Sequence, residues 1–298
     1  MGSSGTLTGI LAPIATMGDR MRSQWQAFVR SRSACMITPS MLLVLGAGYP
    51  LLLLRAPFWL VFAPCVIVVH RIGVLLHEYI HGIPFRRYRR NHNVVTFFDG
   101  VMLMWGTLEV FRGTHLTHHR WLNTDLDPAR ESERRTRGQG WIATLAALEA
   151  LQALAYLRDA LAGQKPYVQR LRMLSAFLLS VAVVLLWVRA GHSEMIWKML
   201  AVNLFTTLVP ISFRGAVEHY SHSGDPGSTN EYSVCLPLFH LNRHIHHHQE
   251  PHVPWYLLEF KTEKPLSHWH YFTHWFRVYV TQEFVLMQPE PRRSRPAK

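Results

Sequence analysis

Residues 57–81 read PFWLVFAPCVIVVHRIGVLLHEYIH. From Pro57 to Leu76 the stretch is apolar and roughly 20 residues long, the helical length that crosses a hydrocarbon core of about 30 Å. It then delivers His77 and His81, four residues apart and therefore on one face of the emerging helix. A membrane span ending in two aligned imidazoles governs how its surroundings are read.

Three further stretches match it in length and apolarity: residues 36–54, 171–188 and 196–213, which with 57–76 make four. A tight turn around Arg55–Pro57 joins the first pair and a short linker at 189–194 joins the second. The expected fold class is therefore an all-α integral membrane protein with four transmembrane helices in two hairpins. Arg86, Arg87, Arg89, Arg90, Arg134, Arg135 and Arg137 lie between the hairpins, whose own turns carry little positive charge. The positive-inside rule then places both termini and the central loop on the cytoplasmic side. Trp141–Leu161 is also apolar but holds Glu149, Gln152, Arg158 and Asp159; a fifth crossing there would part the histidine clusters on either side of it. It is expected to lie in the interface, as is the shorter Val101–Phe111 stretch. The domain reading is an N-terminal cytosolic segment over 1–35, one membrane domain over 36–288 with a cytosolic, histidine-rich helical cap, and a basic flexible tail over 289–298.

Composition agrees. The 298 residues are 49% hydrophobic and 17% charged, and the mean hydropathy of +0.03 strains a soluble reading. The net charge of +12 would suit a nucleic-acid surface. Flanking apolar spans, the arginines are instead explained by topology and anionic headgroups, so no nucleic-acid partner is expected. Met1–Thr6 fits the letter of a myristoylation signal and equally a loose Gly/Ser terminus, and no cleavable secretory pattern is expected. Cys35, Cys65 and Cys235 lack C-x-x-C spacing, which removes zinc ribbons, iron–sulfur clusters and a disulfide framework.

The 19 histidines equal the acidic residues in number. Eight fall into three patterned groups: His77 and His81 in H-E-Y-I-H; His115, His118 and His119 in H-L-T-H-H; His244, His247 and His248 in H-I-H-H-H. On helices each group aims its imidazoles at one point, and an even number of crossings between groups brings all three to one side of the membrane. His192 and His274 read as boundary residues, His70 as a support of the site or a packing residue, and His92, His240, His252, His268 and His270 as accessory. A zinc ion uses three or four ligands, so eight imidazoles fit two metal ions with open positions better. A rival reading takes His77–His81 as H-E-x-x-H, the zinc-protease spacing, with Asp99 as third ligand; it leaves the two H-x-x-H-H groups without a task.

These residues resemble the membrane fatty acid desaturase/hydroxylase superfamily. The resemblance runs from about Pro57 to Leu258 and rests on the ordered boxes, on H-R-W-L-N-T-D-L-D-P from His119 to Pro128, and on N-R-H-I-H-H-H-Q-E-P-H-V-P-W-Y-L-L from Asn242 to Leu258. It implies that His77, His81, His115, His118, His119, His244, His247 and His248 bind two iron ions (Fe2+/Fe3+), joined by His219 from E-H-Y-S-H, with His222 as its substitute. Asp127 and Asn242 match positions that hydrogen-bond the ligands' outer nitrogens, and His246 adds an imidazole that leaves open which of the 244–248 run bind metal. Glu78 stands where many desaturases carry Asp. The implied activity is O2-dependent oxidation of an unactivated C–H bond in a lipid chain, most directly fatty acyl desaturation, with hydroxylation or ketolation of an alkyl, acyl or carotenoid substrate as the alternative. No dinucleotide motif or haem domain accompanies it, so electrons are expected from an external ferredoxin, rubredoxin or cytochrome b5-like donor. Trp105, Trp121 and Trp255 are expected at the mouth of an apolar substrate tunnel.

Overall fold

Pro57 both ends one helix and starts the next. It holds Ala56 in extended backbone (φ −118°, ψ 153°), so α1 (Ile37–Arg55) stops and α2 (Phe58–Ile80) begins with a change of direction. The computed structural model describes residues 36–85, 87–122, 165–211 and 243–267, together with 126–128, 158, 161–163, 218, 231–233, 269–270, 273 and 276. The expectations for 1–35, for most of Trp141–Leu161 and for the tail over 289–298 fall outside these residues.

The described residues are helical, with only isolated bridges between Glu231 and Arg243 and between Tyr232 and Leu266. Three helices are long and apolar enough to cross a membrane: α1, α2 and α5 (Tyr167–Arg189). The fourth expected span is shorter as an α-helix. α6 (Glu194–Thr206) has 13 residues and passes directly into a π-helical turn, Thr207–Ile211. Pro210 lies in that turn, where it lacks the N–H that a regular α-ladder would use. α2 is the axis of the bundle, with α1, α6 and α3 (Tyr88–Val101) packed around it. Leu42 and Leu53 of α1, Cys65 and Ile72 of α2, and Met195 and Val202 of α6 fill the interior. Edge-on ring pairs, Phe58–Trp197 at 4.7 Å and Phe62–Phe205 at 5.3 Å, add to the α2–α6 contact.

α3 and α4 (Thr107–Trp121) depart from the expected plan. Val101–Phe111 does not lie in the interface; it is the inner end of a helical pair that turns inside the bundle. Phe98 packs against Gly46, midway along α1, and Gly100 against Leu179, midway along α5. The turn takes Leu103, Trp105 and Gly106 through positive φ (57°, 58° and 93°) before α4 climbs back. Irregular backbone at this depth requires partners from protein, because lipid offers none. Ser180 of α5 donates to the Gly100 carbonyl (3.1 Å), and Asn203 of α6 donates to that of Met102 (2.6 Å). Asp99 accepts the N–H groups of Gly106, Leu108 and Glu109 at 2.8–3.3 Å, which caps α4. Consequently α5 packs chiefly on α3 rather than on α6, and the second hairpin is open. Trp105 sits at this inner turn beside Phe177.

A short α7 (His244–Gln249) and a strap through Leu258 close the histidine end of the bundle. Val253 and Leu258 pack on Val74, one turn below His77, and the Trp255 N–H bonds Glu78. Arg243 anchors the strap through the Leu258 carbonyl and lies over the Phe260 ring.

Candidate metal centre

Each box arrives on its own element. α2 ends in His77 and His81, the last two turns of α4 carry His115, His118 and His119, and α7 consists largely of the third box. Five of the imidazoles, from His77, His81, His115, His119 and His247, present nitrogens that all lie within 4.8 Å of one another. The Nε2 atoms of His77, His81 and His115 form a triangle with sides of 2.7, 3.1 and 3.3 Å, and His119 and His247 meet at 3.0 Å. Phe111 stacks on His115 with ring centroids 5.0 Å apart.

His248 begins a second group. It lies 3.0 Å from His244 through the Nε2 atoms, its ring is 5.1 Å from that of His118, and it stacks on His119 at 4.2 Å. Carboxylates back this group. Asp127 meets the His118 Nδ1 at 2.9 and 3.0 Å, and Glu218 meets the His244 Nδ1 at 3.2 Å, all four side chains being buried. Asp127 was expected in such a position. Glu218 was not: the E-H-Y-S-H stretch drew attention to its imidazoles, whereas an acidic residue beside an apolar span signals a buried partner just as strongly. His219, His222 and Asn242 lie outside the described residues.

His246 faces elsewhere. Its Nε2 donates to Glu250 (2.6 Å) and its Nδ1 accepts the Glu259 N–H (2.8 Å), so both nitrogens are engaged in holding α7 to the strap. The run 244–248 thus splits into His244, His247 and His248 on the site and His246 off it. Glu78 likewise serves structure, its oxygens taking the Thr38 hydroxyl (2.5 Å) and the Trp255 N–H. With Asp99 spent on the α4 cap, the geometry supplies the zinc-protease reading with neither its base nor its third ligand. His70 and His92 are buried, the latter near Arg112, which forms a buried ion pair with Glu109 one turn before His115. His192 and His270 keep to exposed surroundings, beside Glu194 and Ser267.

Burial pushes His81 down to about 4. It does the same to His119, to about 2, with His81 and His118 adding to the effect. His115 and His247 are driven well below the usual imidazole range by burial first and by neighbouring imidazoles second. All four are therefore neutral at pH 7, the state that ligates a metal. Three converging neutral Nε2 atoms cannot all hydrogen-bond one another, since each ring has one donor and one acceptor. A shared cation satisfies them: with metal–nitrogen bonds of about 2.1 Å, neighbouring ligand nitrogens stand about 3.0–3.4 Å apart. The donor set, all imidazole among the described residues, suits a first-row transition metal such as iron, zinc or copper.

Comparison with known proteins agrees with the boxes. The family model described as fatty acid desaturase matches residues 57–278. Among curated proteins, the human sphingolipid delta(4)-desaturase/C4-monooxygenase DES2 is 26% identical over 211 residues. That match covers 67% of this chain and spans 63% of the relative's length. No solved structure matches the chain. With three membrane-length helices, the ordered histidine boxes and a family match over most of its length, the chain belongs to the fatty acid desaturase family.

Proposed function

We propose that this protein is an integral-membrane di-iron oxidoreductase that uses O2 to desaturate an alkyl chain of a lipid. The observation that carries this reading is the convergence of the three boxes, from α2, α4 and α7, on one cluster of buried and half-buried imidazoles at one end of the spans. His77, His81, His115, His119 and His247 would hold one iron, and His118, His244 and His248, with His219, the other. Iron bound there supplies activation of O2 and removal of hydrogen from an unactivated C–H bond.

The protein's own part is to bind, orient and exclude water. Lowered imidazole pKa values keep the ligands unprotonated without competition from solvent protons. The strap is tied to α2 through Trp255 and Glu78, and its Val253 and Leu258 pack on Val74, one turn below His77. A lipid chain lying among the helices below the cluster can offer a methylene to it. For desaturation, the chain's CH2–CH2 unit, O2, two electrons and two protons yield CH=CH and two waters. Arg87, Arg89 and Arg90, exposed at the start of α3 on the histidine side, suit an acidic electron donor on the cytoplasmic face.

Hydroxylation is the second reading, favoured by the double activity in the name of the human relative. Both need the same cluster and differ in whether a second hydrogen leaves or oxygen is retained. Expression in a lipid-supplied host, with product mass spectrometry, separates them. A product two hydrogens lighter supports desaturation and one oxygen heavier supports hydroxylation. Purified protein that carries no iron, and turnover that survives without O2, would each overturn the proposal.

A further inference from the structure

The carboxylates are distributed unevenly over the histidines. Asp127 and Glu218, both buried, stand at the outer nitrogens of His118 and His244, two members of the group around His248, the first hydrogen-bonded at 2.9 and 3.0 Å and the second at an ion-pair distance of 3.2 Å. Among the described residues, no carboxylate lies against His81, His115, His119 or His247. An ionised carboxylate on Nδ1 fixes the proton there and leaves the Nε2 lone pair for a metal. It also makes that nitrogen more basic and brings negative charge close to a buried cation. The five-imidazole group needs no such help to converge, because its nitrogens already lie within 4.8 Å of one another.

We infer that the two metal positions are inequivalent by construction: Asp127 and Glu218 are positioning residues for one position only, that of His118, His244 and His248, while the five-imidazole position binds its ion independently of them. The inference rests on the dinuclear reading proposed above and adds that the positions fill in separable steps. Two residues 91 positions apart in sequence, counted from Asp127 to Glu218, then control the same binding step.

The test is anaerobic Fe2+ titration of the full-length protein in detergent against a competing chelator, with 57Fe Mössbauer spectra of the loaded forms. The wild type should take up two ions per chain. D127N and E218Q, which preserve side-chain shape, should each weaken the same step 10–100-fold, the usual penalty for losing such a partner. They should alter one quadrupole doublet and leave the other unchanged. H248A should weaken that step too, and H81A the other. E231Q serves as the folding control, since Glu231 is a buried carboxylate that instead accepts the N–H groups of Lys261 and Thr262; it should retain both ions. Variants that bind both ions as the wild type does, or that weaken both steps equally, would overturn the inference. A wild-type chain that takes up fewer than two ions would overturn the dinuclear reading itself, a distinct result visible before any variant is made.

Discussion

At the scale of single residues, identical side chains do different work according to what occupies their second nitrogen. His246 and His247 are adjacent, yet one is engaged at both nitrogens by Glu250 and Glu259 and the other projects into the cluster. Replacing His247 by Ala is therefore expected to remove at least half of the bound iron. The same change at His246 should retain the iron and lower thermal stability by about 1–3 kcal/mol through lost buried hydrogen bonds; metal analysis and melting curves in detergent check both. Acid should act through the same rings. His81 and His119 have folded-state values of about 4 and about 2, below the ordinary 6.5, so the unfolded chain binds protons before the folded one does. Their contribution is complete above pH 6.5 and is lost as pH falls from there towards 4. The metal-free protein should melt progressively earlier across that window, and a melting temperature constant between pH 7 and 4.5 would contradict the burial described.

At the scale of elements, the re-entrant α3–α4 pair is what lifts the second box to the first. α4 can return to the histidine end only because its turn is tolerated deep in the bundle, and three polar side chains make it so. Ser180→Ala removes one of two donors from the Gly100 carbonyl, which keeps the Leu103 N–H, and should cost about 0.5–1.5 kcal/mol; Asn203→Leu removes the side-chain donor from the Met102 carbonyl and should cost about 1–3 kcal/mol. Gly100→Ala should be worse tolerated, because its added carbon would stand 2.6 Å from the Leu179 Cβ and Cγ. Thermal unfolding of the three variants measures this. A Gly100→Ala protein as stable as the wild type would mean that α3 does not approach α5 so closely. The sequence did not announce this pair. Val101–Phe111 is too short to span and too apolar to be a loop, and periodicity alone assigns such a stretch to the surface.

At the scale of the whole molecule, the arrangement demands that the histidine end and the α5–α6 turn lie on opposite sides of the membrane. In a background lacking Cys35 and Cys235, a membrane-impermeant thiol reagent should label Arg89→Cys and Gln249→Cys from one side and Ser193→Cys only from the other. Labelling of all three from a single side would dismantle the membrane architecture. The buried Cys65 should stay silent throughout.

Read alone, the chain determined the helical class, three of the long apolar helices and the identity of the eight boxed imidazoles, because length, apolarity and i, i+3, i+4 spacing are local properties of the backbone. The course of residues 88–121 through the bundle, the division of the imidazoles into five and three, the diversion of His246, and the Glu218–His244 contact across 25 intervening positions were decided by tertiary structure. Each of these depends on which buried polar group meets which partner, and that pairing exists only once distant elements have packed together and excluded water.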